Sequence, residues 1–271
     1  MAQARSIGLA LLALAAAWLW LLLGVPIASG LAGAHGSEGG ELVFTLVVFG
    51  GLLTLALGIG ALGGVRIFRS GDRPGGALLG GLVLGSAGLS LAIGYCALAG
   101  TTQWRAASVS GPALAIGVAT VGVQVLAEEA LFRGVVQPLL VRAIGRAGGL
   151  LLAAAAFAGL HAIHGSSGGW LTLVNLLLGG VLFGCLALRE GGIAGATGAH
   201  FGWNAAEQLA FGAEPNPGVG AFGSVFDVEL VGASGWGGSD EGLNASWAMT
   251  LALLALLAFV LVRMRAPRVR G

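Results

Sequence analysis

The sequence predicts an all-α fold: a polytopic transmembrane helical bundle of about eight spans. Three observations carry that prediction. Hydrophobic residues make up 56% of the chain, charged residues only 9%, and mean hydropathy is +0.92, whereas soluble domains carry roughly 25% charged residues. Apolar stretches approaching the roughly 20 residues needed to cross about 30 Å of hydrocarbon recur along the chain. The arginines, finally, fall in every second connection between those stretches.

The expected spans are residues 7–28, 42–63, 77–99, 112–140, 150–164, 170–188, 193–211 and 247–262. The fourth is long enough to tilt or protrude. The fifth is short and ends in the Gly/Ser-rich turn 165–169. Arg5 precedes the first span; Arg66, Arg69 and Arg73 follow the second, Arg142 and Arg146 the fourth, Arg189 the sixth, and Arg263, Arg265, Arg268 and Arg270 the eighth. The opposite connections hold only Arg105, and the largest of them, 212–246, carries Glu214, Asp227, Glu229, Asp240 and Glu241. Positive charge accumulates in cytoplasmic loops, so both termini are expected in the cytoplasm and the acidic loop outside. The expected setting is a bacterial plasma membrane. A cleaved signal peptide is the alternative for the first span, with Arg5 as its basic start and Ala28-Ser29-Gly30 near the cut. Its apolar core exceeds the usual ~7–15 residues of such a peptide, which favours a retained helix.

The chain divides into N-terminal helices over 1–110 (about three spans), a polar-motif core over 111–211, the Gly-rich acidic loop 212–246, and a C-terminal helix with a basic tail over 247–271. The loop reads as a poorly ordered linker or a lid, with its composition favouring disorder. A net charge of +1 excludes an electrostatic footprint for nucleic acid. Cys96 and Cys185 each lie in an apolar run and behave as small hydrophobes. Gly60/Gly64, Gly81/Gly85 and Gly180/Gly184 are small-residue pairs that let helices approach closely in lipid. Trp18, Trp20, Trp170, Trp203 and Trp247 read as an aromatic belt, and Asn175 and Gln137 as helix-packing or helix-end residues.

Ionisable groups inside spans cost about 2.5–3.5 kcal/mol each on insertion scales, so a group of them needs a reason. The fourth span contains Gln124-Val-Leu-Ala-Glu128-Glu129-Ala-Leu-Phe132-Arg133, the fifth Phe157-Ala-Gly-Leu-His161-Ala-Ile-His164, and the seventh His200-Phe-Gly-Trp-Asn204-Ala-Ala-Glu207. Glu129 and Arg133 are four apart with the acid first, the favoured order for a same-face ion pair. Glu128 points about 100° away and shares a face with Gln124 and Phe132. His200 and Asn204 share a stripe. Counted from the expected cytoplasmic ends, Glu128 and His200 lie about nine or ten residues deep and His161 about thirteen, or roughly 14–20 Å at 1.5 Å per residue. Three helices can therefore present a carboxylate and two imidazoles at one level of the bilayer.

Such a set supports hydrolysis. A buried carboxylate can take a proton from water while a neutral histidine orients that water. A second histidine with an asparagine NH₂ can donate to the oxyanion, worth about 3 kcal/mol per donor in other hydrolases. The same side chains could instead hold a zinc ion that activates the water, with Glu128, His161 and His200 as candidate ligands. The HExxH pattern that would make a metal site specific is absent, and metal-free glutamate/histidine catalysis is the preferred expectation.

Glu128-Glu129-Ala-Leu-Phe-Arg133, Phe157-Ala-Gly-Leu-His161 and His200-Phe-Gly-Trp-Asn204 resemble the EExxxR, FxxxH and HxxxN motifs of the CAAX prenyl endopeptidase and bacteriocin-processing family, also called CPBP or Abi. The order and separations also match, over about residues 120–211. The resemblance implies an intramembrane glutamate-type endopeptidase, often labelled a metalloprotease. By that likeness Glu128 and His161 activate water, His200 and Asn204 form the oxyanion site, and Glu129 with Arg133 supports the geometry. It implies a membrane protein or lipidated peptide as substrate, such as a prenylated CAAX protein, and some bacterial members serve in self-immunity. Buried Glu, His and Arg also mark conduction paths, so a proton- or ion-coupled transporter is the alternative, as is a non-catalytic binding relative such as an immunity protein. No convincing internal repeat supports the transporter.

Overall fold

A computed structural model describes residues 1–69, 71–107, 109–164, 169–215 and 219–265. The apolar runs form α1 (Ala2–Ala32), α2 (Ser37–Gly63), α3 (Pro74–Leu98), α4 (Gly111–Glu129), α5 (Gln137–His164), α6 (Trp170–Glu190), α7 (Ala194–Ala205) and α8 (Trp247–Arg265). Local chemistry sets several boundaries. Pro74 opens α3, and Ser110 caps α4 by accepting from the Ala113 amide just after Pro112, both ordinary helix starts. Gly191 ends α6 in the left-handed conformation. Within α5, Gly145 (φ 82°, ψ 172°) breaks the rod in a conformation that side chains rarely adopt. That break falls between the fourth and fifth expected spans.

Among the described residues six helices are long and apolar enough to cross a membrane, and the chain is an integral membrane protein. By composition, Gly111–Ala162 forms one such run, although Gly145 bends it. The seventh expected span is not among the six, because its α-helix covers only Ala194–Ala205 before passing into the π-helical segment Ala206–Phe211. A second π-helical segment, Ala130–Val136, joins α4 to α5.

The core has two halves. Apolar residues of α1, α2, α4 and α5 form one cluster, including Ala13, Leu52, Ala127 and Phe157. Residues of α3, α6, α7 and α8 form the other, including Leu89, Leu182, Ala199 and Leu253. The halves meet where α4 faces α7 and α5 faces α6. Glycine makes the close approaches. A Cβ on Gly81 or Gly85 of α3 would sit 2.2 Å from the Gly195 carbonyl oxygen or 1.9 Å from that of Ala199 on α7. Gly180 and Gly184 of α6 likewise admit Ala154 and Leu150 of α5. Gly64 is different: it ends α2 in the left-handed conformation.

The expectation of disorder for 212–246 does not hold for its described residues. β2 (Ala213–Glu214) and β3 (Asp227–Leu230) form a three-stranded sheet with β1 (Thr102–Arg105), in the order β1-β3-β2. β1 and β3 pair antiparallel and β2 and β3 parallel. Arg105 pairs with Glu229 across the sheet, and Val228, Leu230 and Leu243 are buried beneath it. Thr172 donates to Glu241, and Asn175 donates to the Asn244 and Ser246 carbonyls at 2.9 and 3.0 Å. These contacts order the segment. Two tryptophans also depart from the belt: Trp20 donates to the Val48 carbonyl between α1 and α2, and Trp203 is buried. Trp170 and Trp247 remain exposed, with their rings 5.6 Å apart.

Gly85→Ala is expected to force α3 off α7, at the 1–3 kcal/mol or more typical of overpacking, and to lower the unfolding temperature in detergent. Gly80→Ala, where an added Cβ meets nothing within 4 Å, leaves that temperature unchanged.

Candidate active site

The site lies on the seam between the two halves. Glu129, at the end of α4, is fully buried, a position that a carboxylate tolerates only with partners. It has two. Arg133 Nη1 donates to Glu129 Oε1 at 2.9 Å, and His200 Nδ1, on α7, lies 2.9 Å from the same oxygen. The Arg133 guanidinium also donates to the Gly180 carbonyl of α6 at 3.1 Å. It lies 4.7 Å from the Phe157 ring centroid and 5.4 Å from that of Phe183, within the range where an aromatic face attracts a cation. One turn on, Gln137 donates to the Gly184 carbonyl at 3.1 Å. The exposed carbonyls of a glycine-lined helix thus receive the polar side chains that cross the seam.

Glu128 turns toward a different space. Its Oε2 lies 3.8 Å from His161 Nε2 and 3.7 Å from His200 Nε2. That is too long for direct hydrogen bonds, and this buried oxygen has no hydrogen-bond partner among the described residues. The ring orientations follow from the other nitrogens. His161 Nδ1 lies 2.9 Å from the Phe157 carbonyl, which can only accept, so Nδ1 carries the hydrogen and Nε2 of the neutral ring offers a lone pair. The Glu129 carboxylate, which can only accept, likewise takes Nδ1–H of His200 and leaves Nε2 to face Glu128. Phe183 stacks on the His200 ring at 4.6 Å, and Phe157 meets it edge-on at 6.0 Å. Glu128, His161 and His200 are therefore brought together, with Glu129 and Arg133 beneath them.

Asn204 follows His200 by one turn of α7 and is half-buried. Its carboxamide makes no hydrogen bond among the described residues, so it is not joined to the other three side chains. The side chain of His164 lies outside the described residues.

Residues 110–206 match the family model described as type II CAAX prenyl endopeptidase Rce1-like. Over these residues the chain is similar to that family. The matched residues include every member of the three motifs, and all of these but Asn204 make contacts at the seam. No curated protein and no solved structure matches the chain.

Two features of the Rce1-like segment were not readable from its motifs. Phe183 covers one face of His200, but in sequence it is one apolar residue among many in α6. The contact between Glu129 and His200 joins residues 71 positions apart, and spacing along one helix gives no sign of it. Within the segment, Gln124 reaches out of it, donating to Glu41 at 2.9 Å and to Thr45 at 2.8 Å on α2. The polar face carrying Glu128 therefore continues into the N-terminal helices. As for a metal, among the described residues no group of three or more His, Cys, Asp or Glu side chains is disposed to hold one.

Arg133→Met is expected to leave Glu129 short of its main counter-ion and to cost about 3–5 kcal/mol, the penalty typical of breaking a buried pair. The double variant Glu129→Gln/Arg133→Met removes both charges and is expected to recover more than half of that loss. Denaturant unfolding in detergent measures both.

Proposed function

We propose that this protein is an intramembrane endopeptidase that hydrolyses a peptide bond of a membrane-associated protein or peptide, with prenylated CAAX-like chains as the first substrate class to test. The observation that carries this reading is the buried Glu128 oxygen facing two imidazole nitrogens with no partner of its own among the described residues. Its place inside a CAAX endopeptidase family segment supports the same reading.

In the proposed mechanism one water sits between Glu128 Oε2 and His161 Nε2, close enough to donate to both. As the water oxygen bonds to the scissile carbonyl carbon, Glu128 takes its proton and the carbonyl π electrons move onto oxygen. His200 Nε2–H and the Asn204 NH₂ donate to that oxyanion. When the carbonyl re-forms and the C–N bond breaks, Glu128 passes its proton to the departing amine, so the carboxylate is restored for the next turnover. For the oxyanion step His200 must carry a hydrogen on each nitrogen, Nδ1–H held by Glu129 and Nε2–H given to the oxyanion. Glu129 and Arg133 act as positioning residues, holding His200 by its Nδ1–H. We take residues 111–211 as the catalytic core, with both termini in the cytoplasm.

Glu128→Gln is expected to reduce cleavage of a prenylated CAAX peptide in reconstituted vesicles by 10²–10⁴-fold while leaving the unfolding temperature unchanged. Full activity in that variant would remove Glu128 from the mechanism. Asn204→Ala is expected to lower kcat by about 10²–10³-fold with little change in KM, as befits a donor used only in the transition state. Chelation is expected to leave activity intact, whereas stoichiometric zinc lost together with activity would overturn the metal-free assignment.

A further inference from the structure

At the end of the bundle opposite the sheet, the basic connections gather around a cavity of about 630 Å³. Arg66 and Arg69, after α2, and Arg142 and Arg146, flanking the Gly145 break, line it together with apolar residues such as Ile67 and Val141. Among the described residues these four cations make no ion pair. Arg66 and Arg69 make no ion pair or side-chain hydrogen bond among the described residues. Arg142 donates only to the Gly63 and Gly64 carbonyls, and Arg146 only to that of Leu188. No carboxylate lines this cavity; Asp72 and Glu190 line an adjoining one, which Arg66, Arg69 and Arg146 also border. Arg133 reaches its inner wall, but Glu129 neutralises that charge.

A general excess of arginine on one face needs no ligand, since cytoplasmic loops are basic as a rule. Convergence is a separate matter. Four guanidiniums pointed at one apolar-walled space repel one another, and two of them are held in place by helix-end carbonyls. An anion relieves that repulsion, and guanidinium forks match phosphate oxygens. The apolar walls suit a ligand whose charge is attached to hydrocarbon, and the cavity lies where the helices end, at the level of lipid headgroups.

We infer that this cavity binds the phosphate of an anionic phospholipid. The lipid docks against the α2–α3 connection and the Gly145 break and ties the two halves of the bundle together at that end. Because lipid retention is read without any substrate, the inference stands or falls independently of the peptidase reading.

The test uses the full chain in neutral detergent, with native mass spectrometry and thermal unfolding as readouts. Phosphatidylglycerol, phosphatidylcholine and inorganic phosphate are added in separate arms. Phosphatidylglycerol is expected to be retained and to raise the unfolding temperature, with the other two having little effect. Arg66→Gln/Arg69→Gln is expected to weaken retention about tenfold or more, whereas Arg263→Gln, a charge on the same face that does not line this cavity, leaves it unchanged. Equal retention of phosphatidylcholine, an equal shift from inorganic phosphate, or an equal loss in Arg263→Gln would each overturn the inference: the first two by removing the anionic lipid, the third by reducing the effect to general surface charge.

Discussion

The polar centre of this bundle depends on one carboxylate oxygen. Glu129 Oε1 accepts from Arg133 on its own helix and faces His200 Nδ1 from the other half of the bundle, at 2.9 Å in each case. Without Arg133, Glu129 would be an isolated anion in a low-dielectric interior, where the solvation penalty alone is several kcal/mol. Without Glu129, the His200 ring would lose the contact that fixes its tautomer, and Arg133 would be a buried cation against three aromatic rings. The three groups stabilise one another only when the two halves are assembled. The polar centre is therefore also a device that sets the register of α4 against α7.

That register requires the helices to come close, which explains the glycines. A carbonyl on a helix with larger side chains would be shielded from its neighbour, whereas Gly180 and Gly184 leave theirs open to Arg133 and Gln137. On the far side of α7, the fit against Gly81 and Gly85 holds His200 in place from behind. Lipid provides little hydrophobic drive for helices to associate, so close packing and interhelical hydrogen bonds must do so instead. Here the same short stretches of chain supply both.

Much of this was legible in sequence because the deciding periodicities are local. The same-face pairing of Glu129 and Arg133 follows from a spacing of four, and the separate aim of Glu128 from a spacing of one. Two of the three small-residue pairs sit at helix contacts, and the Gly145 break falls in the gap between two expected spans. What escaped was non-local. The segment 212–246 is ordered largely through partners elsewhere in the chain, such as Arg105, which is 124 positions from Glu229, so its composition alone read as disorder. Nor did propensity foretell the two π-helical segments, which begin directly after Glu129 and two residues after Asn204. π-helical turns are uncommon and concentrate at functional sites, and here both follow motif residues.

Adjacent glutamates on a helix face different directions, yet both reach His200, because an imidazole has nitrogens on two edges. Glu129 meets Nδ1 and Glu128 lies near Nε2. The ring thus separates a carboxylate that holds Arg133 and His200 through one oxygen from one that makes no direct hydrogen bond, although among the described residues the second oxygen of Glu129 is, like Glu128 Oε2, without a partner. The difference between the two acids is therefore one of contacts: Glu129 Oε1 ties Arg133 to His200, whereas Glu128 Oε2 faces two imidazole nitrogens without bonding either. In the mechanism proposed above it is Glu128 that takes the proton from water and Glu129 that holds the ring.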